Sequence, residues 1–495
     1  MLKQKAGLRA PGTKRGRRAA RPGICARLAG HVALEAQASG DIVASFGGYS
    51  LAVGKLSANA AARVAELRGG LPLAAFSGSR PVDKEIDLLV RRLARRGLLE
   101  YAVRRSTGGE DQIVIEPQVA DYWPQPRPLG DRDVLVLSRF AYLRRRGDDM
   151  VLESPRAGAL FRLCDPHVAA ALATLAVPQE VRKFRREDGF PGVELLALLL
   201  DSAILFKVEP GRSGLRPEEG DANLALWDFH DLLFHARSTE GRHANPMGGL
   251  YSYAHVMPPL PGVRPGWSGK TIDLRAFSDA PSPAIAPAAK LLRERHSIRN
   301  FDDGRPITLA ELAQFLDATA RVIATWQVSG DDITGPTVSY ARRPYPSAGA
   351  SWELELYLAV ATCEGLAKGF YHYDAGAHVL VPIDARTQDV DAMLTGAAFA
   401  MGAETVPQIA IMIAARFARV TWKYSALAYA LILKDVGVLM QTLYLMATDL
   451  GLGGCAIGSV NIDLFARMTG IPFHVEGPVG QFALGRPASD ATSGA

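Results

Sequence analysis

At 495 residues, 48% apolar and 22% charged, the chain can bury several cores without disulfide or metal staples, and its composition excludes a largely disordered, collagenous or coiled-coil protein. The formal charge of +5 is not spread along the chain: Lys3, Lys5, Arg9, Lys14, Arg15, Arg17, Arg18, Arg21 and Arg27 all precede the first acid, Glu35, and the remainder of the chain is net acidic. Residues 1–40 therefore read as a flexible basic tail, in which Arg17-Arg18 lacks the uninterrupted apolar stretch an export signal requires.

The next 170 residues contain two segments of similar plan. Strand-like runs at 43–53 and 134–153 are followed by helical stretches expected at 57–69 and 154–164, then by a second helix running into a strand at 84–103 and 193–208. Strand, helix, helix, strand twice over is typical of winged-helix-like modules, placed at 41–128 and 129–210. In the first, Ile86, Leu89, Val90 and Leu93 share a helix face, leaving Arg91, Arg92, Arg95 and Arg96 either as a solvated surface or as a track for phosphates.

From 211 to 284 the chain is Pro- and Gly-rich and reads as a linker with one short helix, Trp227 to Ser238. His230 and His235 are five apart and do not share a helix face, and no carboxylate pattern with His243 or His255 completes a metal site. Cys25, Cys164, Cys363 and Cys455 contain no CxxC pair, which fits a reducing cytoplasm better than a disulfide framework. The apolar runs at 193–208 and 426–447 are each interrupted by charge, so neither is expected to span a membrane.

Residues 285–490 form a regular pattern of helices and strands. A helix over AAKLLRERHS precedes a second one opened by a Thr308/Glu311 capping box. Strands are expected at 353–360, at GFYHYD and HVLVPI around an Ala375-Gly376 turn, at 408–417 and at 480–485. Ser425 to Leu450 is apolar on almost every side, as in a domain core or a subunit interface.

Three clusters here carry chemistry. Arg295, Ser297 and Arg299 present two guanidiniums and a hydroxyl at alternate positions, a set matched to phosphate oxygens. Pro346, Ser347 and Gly349 make a small-residue loop whose backbone can come close to a ring edge. GLGGCAIG (451–458) is a Gly-rich turn, and Arg486 in GRP adds a cation. Taken singly, each has a plain reading as a surface charge cluster, a turn or a helix C-cap.

Together, RERHSIRNF, RRPYPSAGASWELELYL, GFYHYD, WKYSALAYALILKDVGVLMQTLYLMATDLGLGGCAIG and FALGRP resemble the FMN-dependent nitroreductase superfamily, and within it the SagB-type dehydrogenases that oxidise azolines in ribosomally made peptides. The N-terminal pair resembles winged-helix modules that hold leader peptides. The resemblance implies an α+β fold, with a mostly antiparallel sheet flanked by helices behind two winged-helix-like modules. It implies FMN held by Arg295, Ser297, Arg299 and Arg486, with Pro346, Ser347, Gly349, Gly453 and Gly454 facing the isoalloxazine at a homodimer interface. It also implies a catalytic pair, Lys423 and Tyr424, with a desolvated Lys423 taking a proton, and reoxidation of the flavin by dioxygen. The implied substrate is a precursor peptide bearing azoline rings, with a cyclodehydratase as a further partner, no membrane and no nucleic acid. Asp435 and Thr442 depart from the Glu and Asn often found in the family. A reductase of nitro or quinone compounds using NAD(P)H, or a peptide- or DNA-binding scaffold without activity, are the alternatives.

Overall fold

The computed structural model describes residues 23–37, 41–46, 49–77, 80–104, 109–185, 190–208, 219–239, 287–328, 337–424 and 427–488, with a few positions between 255 and 274. The linker expected over 211–284 lies largely outside them. The chain divides into two compact units, residues 1–212 and 213–495.

The first unit is an internal repeat. Its first half runs β1 (Gly23–Leu28), β2 (Val32–Ala36), β3 (Asp41–Phe46), β4 (Tyr49–Lys55), α1 (Ala58–Val64), β5 (Leu71–Pro72), α2 (Pro81–Arg95), β6 (Leu99–Arg104) and β7 (Asp111–Pro117). The second runs β8 (Val134–Leu137), β9 (Tyr142–Arg146), β10 (Asp149–Glu153), β11 (Ala159–Leu163), α3 (Pro166–Ala173), β12 (Gln179–Glu180), α4 (Val181–Phe184), α5 (Val193–Asp201) and β13 (Leu205–Lys207). In both, the opening strand lies between the short strand and the closing strand, in the orders β5-β1-β6 and β12-β8-β13. β7 pairs with β11, so one seven-stranded sheet, β5-β1-β6-β7-β11-β10-β9, and one apolar core run through both halves.

Two expectations are corrected by this unit. The tail does not extend to residue 40: β1 pairs with β6 over six residues, and Arg27 is bound to Glu100 at 2.6 Å and Asp111 at 2.5 Å. The stretch 154–164 is not helical either. Ala159, Leu160 and Phe161 are buried between β7 and β10, and the helix starts one step later, where Asp165 caps α3 and Pro166 occupies its first turn. On α2 the four apolar residues are buried as expected. Arg91 lies 3.8 Å from the centre of the Trp123 ring, Arg92 donates to the Val53 carbonyl at 2.9 Å and Arg95 meets Asp121 at 3.3 Å. That face is thus engaged within the unit rather than presented as a row of unpaired cations.

The second unit begins with α6 (Phe229–Arg237), capped by Asp228. His235 on α6 is fully buried, 3.0 Å from the Tyr429 hydroxyl and stacked on Trp227, whose indole N–H donates to the His474 carbonyl at 2.8 Å. Next in the chain come α7 (Pro287–Glu294), α8 (Leu309–Ala320), β14 (Ala324–Val328), β15 (Val338–Arg342), β16 (Leu354–Val360), β17 (Gly369–Asp374), β18 (Val379–Ile383), α9 (Thr387–Met401), β19 (Ile409–Arg416), α10 (Ala418–Thr421), α11 (Ala428–Asp449), β20 (Gly453–Ile457), α12 (Ile462–Thr469) and β21 (Glu476–Gly485). The Thr308/Glu311 capping box opens α8. Six strands form one antiparallel sheet, β18-β17-β16-β19-β21-β20. β19 is a continuous apolar run because both faces of the sheet are covered. Val390, Met393, Leu394 and Ala397 of α9 and Leu464, Phe465 and Met468 of α12 pack on one face. On the other, Met440 and Val436 of α11 close over Gly480, where a Cβ would lie 2.6 Å from Met440 Cε.

Within this chain α11 is buried on one face only, by Tyr429, Ile432, Val436, Leu439 and Leu443, while Leu427 just before it and Val438 on it are exposed. By length and composition α11 is apolar enough to cross a membrane; in this fold its Val436 and Met440 pack over Gly480 of the sheet and its buried Asp435 accepts from the Ala348 amide. It is a core helix of the second unit.

Candidate active site

One end of the site forms where the chain leaves α7. The Ile298 amide donates to the Gly454 carbonyl at 2.9 Å, laying residues 295–299 along β20. Gly453 and Gly454 make this possible: a Cβ on Gly453 would lie 2.7 Å from Ile298 Cγ2, and one on Gly454 2.4 Å from Phe482 Cζ. Both glycines are strand residues rather than part of a turn, which is made instead by Gly451 at φ +67°. Ser297 Oγ lies 2.7 Å from the Tyr444 hydroxyl, which accepts from the Ala456 amide at 2.8 Å, and the Arg295 guanidinium sits 4.9 Å from the Tyr444 ring centre.

Among the described residues, neither Arg295 nor Arg299 has a carboxylate partner. Two guanidiniums without a described carboxylate partner thus flank the Ser297 hydroxyl beside backbone that approaches closely, an arrangement that fits a phosphate group. Arg486 differs. Its guanidinium donates to both oxygens of Glu311, at 2.8 and 2.7 Å, and its amide donates to Gln408 Oε1 at 3.0 Å. The expected fourth anion-binding group is committed to the N-terminus of α8. Burial pushes the Glu311 carboxyl upward, but the Thr308 amide and Arg486 outweigh it and hold the group below its ordinary range.

The other end is the loop 346–349. Ala348 donates its amide to Asp435 Oδ2 at 2.8 Å, and Trp352 donates to Ser347 Oγ at 3.0 Å. Gly349 has φ +56°, and Ala350 and Trp352 follow at +53° and +49°, conformations costing a side-chain-bearing residue about 1–2 kcal/mol each. Arg419 holds the turn from outside, donating to the Ser351 carbonyl at 3.1 and 2.9 Å. A strained turn tied at several points is characteristic of a functional loop.

Lys423 and Tyr424 follow α10 and meet this loop. Lys423 Nζ donates to the Gly349 carbonyl at 3.3 Å. A Cβ on Gly349 would lie 2.3 Å from the Tyr424 hydroxyl and 2.7 Å from Lys423 Nζ, so the glycine leaves room for both. Lys423 also lies 5.7 Å from the Tyr340 ring centre and lines a cleft of about 320 Å³ with Tyr340, Arg416, Arg419 and Trp422. It is exposed in the single chain, so the desolvation expected of it is not supplied by these residues alone.

The two ends hang from one helix. Asp435 holds the loop and Tyr444 holds Ser297, nine residues apart on α11, or about 14 Å at the rise of an α-helix. Asp435 is thereby occupied by the loop, and Thr442, the other departure from the family pattern, returns its hydroxyl to the Val438 carbonyl at 3.0 Å. Tyr444, Asp435 and Glu353 are the site residues that sequence reasoning did not select. Glu353 had a signal: Glu353 and Glu355 alternate with apolar residues in SWELELYL, so a carboxyl had to face the interior or one side of the sheet.

The second unit thus combines a six-stranded antiparallel sheet, a long helix joining the Arg295/Ser297/Arg299 segment to a glycine-kinked loop, and a Lys-Tyr pair that meets that loop from the end of α10. The chain belongs to the nitroreductase family. Residues 292–486 match that family, and MJ1384 of Methanocaldococcus jannaschii, named as a nitroreductase, is 31% identical over 169 residues, 34% of this chain and 77% of that protein. Residues 135–244, from β8 through α6, match the cyanobactin oxidase ThcOx. The two matches in succession bear out the resemblance to SagB-type dehydrogenases. Similar solved structures include the Escherichia coli microcin synthetase McbBCD complex with truncated pro-MccB17 bound, at 19% identity and TM-score 0.38, covering 56% of this chain and 99% of that one. A nitroreductase-type protein from Desulfovibrio desulfuricans in complex with FMN shows 15% identity and TM-score 0.28, with 43% and 92% covered.

Proposed function

We propose that this chain is an FMN-dependent dehydrogenase that oxidises thiazoline or oxazoline rings to thiazoles or oxazoles in a ribosomally made peptide. The observation that carries the reading is the hydrogen bond from Lys423 to Gly349, which joins the Lys-Tyr pair to the loop that faces flavin in the family. The match of residues 135–244 to a cyanobactin oxidase supports a peptide substrate.

Arg295, Ser297 and Arg299 would hold the FMN phosphate, with Gly453 and Gly454 admitting the backbone beside it, and residues 346–349 would lie against the ring. When bound, FMN supplies the hydride acceptor. Lys423 removes the proton from the former Cα of the azoline, and Tyr424 orients the lysine amine. The exposed side of α11 is the surface on which a second copy would pack, covering Lys423 and bringing the loop of one chain to the arginines of the other. The repeats of the first unit would act as winged-helix-like holders of a leader peptide, in the cytoplasm and beside a cyclodehydratase, with dioxygen reoxidising the flavin.

The family name of MJ1384 favours one other reading, an NAD(P)H-dependent reductase of nitro or quinone compounds. A visible spectrum of the purified protein followed by NADPH without oxygen separates them. Flavin bands that NADPH leaves intact support the dehydrogenase; immediate bleaching supports the reductase; a colourless protein that cannot be loaded with FMN contradicts both.

A further inference from the structure

Three groups converge on Ser347 Oγ: the Trp352 amide at 3.0 Å, Glu353 Oε2 at 3.2 Å and Asp435 Oδ2 at 3.1 Å. A hydroxyl has one hydrogen and two lone pairs. The Trp352 N–H takes one lone pair and the hydroxyl hydrogen serves one carboxylate, so the other carboxyl must bring its own proton. Asp435 Oδ2 already accepts the Ala348 N–H at 2.8 Å, which makes it the accepting end. Glu353 is fully buried, and its Oε1 has no hydrogen-bond partner among the described residues, an arrangement costly for a charged carboxylate and tolerable for a neutral acid.

We propose that Glu353 is a positioning residue held as a neutral acid, donating to Ser347, which donates to Asp435, and that this chain of hydrogen bonds sets the 346–349 loop in the conformation that receives flavin. The last clause rests on the function proposed above; the proton assignment does not. The groups facing Glu353 are Asp435 from α11, Arg419 from α10 and Tyr345 from the start of the loop. Burial, reinforced by Asp435, pushes Glu353 up to about 7.

Both parts are tested on the full chain. A carboxyl raised on folding contributes stability at low pH that is lost as pH rises through its folded value. Without FMN, the melting temperature of the wild type should therefore fall between pH 6 and 8.5, whereas Glu353→Gln, whose amide still donates to Ser347, should flatten that profile. With FMN, the wild-type dissociation constant, followed by flavin fluorescence, should rise roughly tenfold from pH 6 to pH 8. It should be independent of pH in Glu353→Gln and in Ser347→Ala, and weak at every pH in the latter. A Glu353→Gln melting profile parallel to the wild type would overturn the proton assignment. A flattened profile with a wild-type FMN affinity indifferent to pH would uphold that assignment and overturn the link to flavin. If Glu353→Gln does not fold, Ser347→Ala decides: retention of the wild-type pH dependence of FMN affinity overturns the proposal.

Discussion

Lys423 Nζ and the Gly349 carbonyl are 3.3 Å apart across 74 positions of sequence. The contact depends on two local features: a left-handed backbone at Gly349 that turns its carbonyl outward, and the end of α10, which delivers Lys423 and Tyr424 side by side. The contact couples the position of the Lys423 amine to the 346–349 loop, so a change of backbone at Gly349 should displace the amine.

Gly349→Ala tests that coupling. A Cβ has no room, and the φ of +56° adds strain, so the variant should lose about 1–2 kcal/mol of stability in a thermal or urea melt. Its azole-forming activity should fall roughly 10²-fold, because Tyr424 and Lys423 must move aside. A variant with wild-type activity would mean that the contact is incidental.

The arginines should divide into two classes. Arg295→Ala and Arg299→Ala each remove a cation that no described carboxylate neutralises, and each should weaken FMN binding by about 10- to 100-fold in a fluorescence titration. Arg486→Ala breaks an ion pair with Glu311 instead, and should lower melting temperature more than FMN affinity. Equal effects of all three on FMN would return Arg486 to the phosphate.

The Glu311 pair also gives a pH signature. Its carboxyl is held below the ordinary value of 4.5, so its contribution to stability is present above that pH and is lost as pH falls through the lowered value. Urea melts of wild type and Glu311→Gln should differ at pH 7, and the difference should shrink as pH falls below 4.5.

Local and periodic features were legible in the sequence. The Thr308/Glu311 capping box and the buried stripe of α2 are fixed by residues three or four apart, and both are present in the fold. β1 and β11 were missed because their identity comes from partners far along the chain: β6 for the first, β7 and β10 for the second. Charge counting placed Arg27 in a tail, though its acids lie 73 and 84 residues on. In the site, Arg486 was a free cation in sequence because Glu311 lies 175 positions away, and Asp435 a mere departure from pattern because nothing local shows that it binds Ser347 and Ala348. The pairing of Lys423 with the 346–349 loop was legible through family resemblance, since spacing alone brings no two such distant segments together.

The central claim is that Lys423 takes the proton while FMN takes the hydride. The direct test is single-turnover conversion of an azoline-bearing peptide by Lys423→Ala carrying a full complement of FMN, with products read by mass spectrometry. The account predicts azole formation slowed roughly 10²-fold or more, with FMN affinity unchanged. Azole formation at the wild-type rate in the flavin-loaded variant would contradict it.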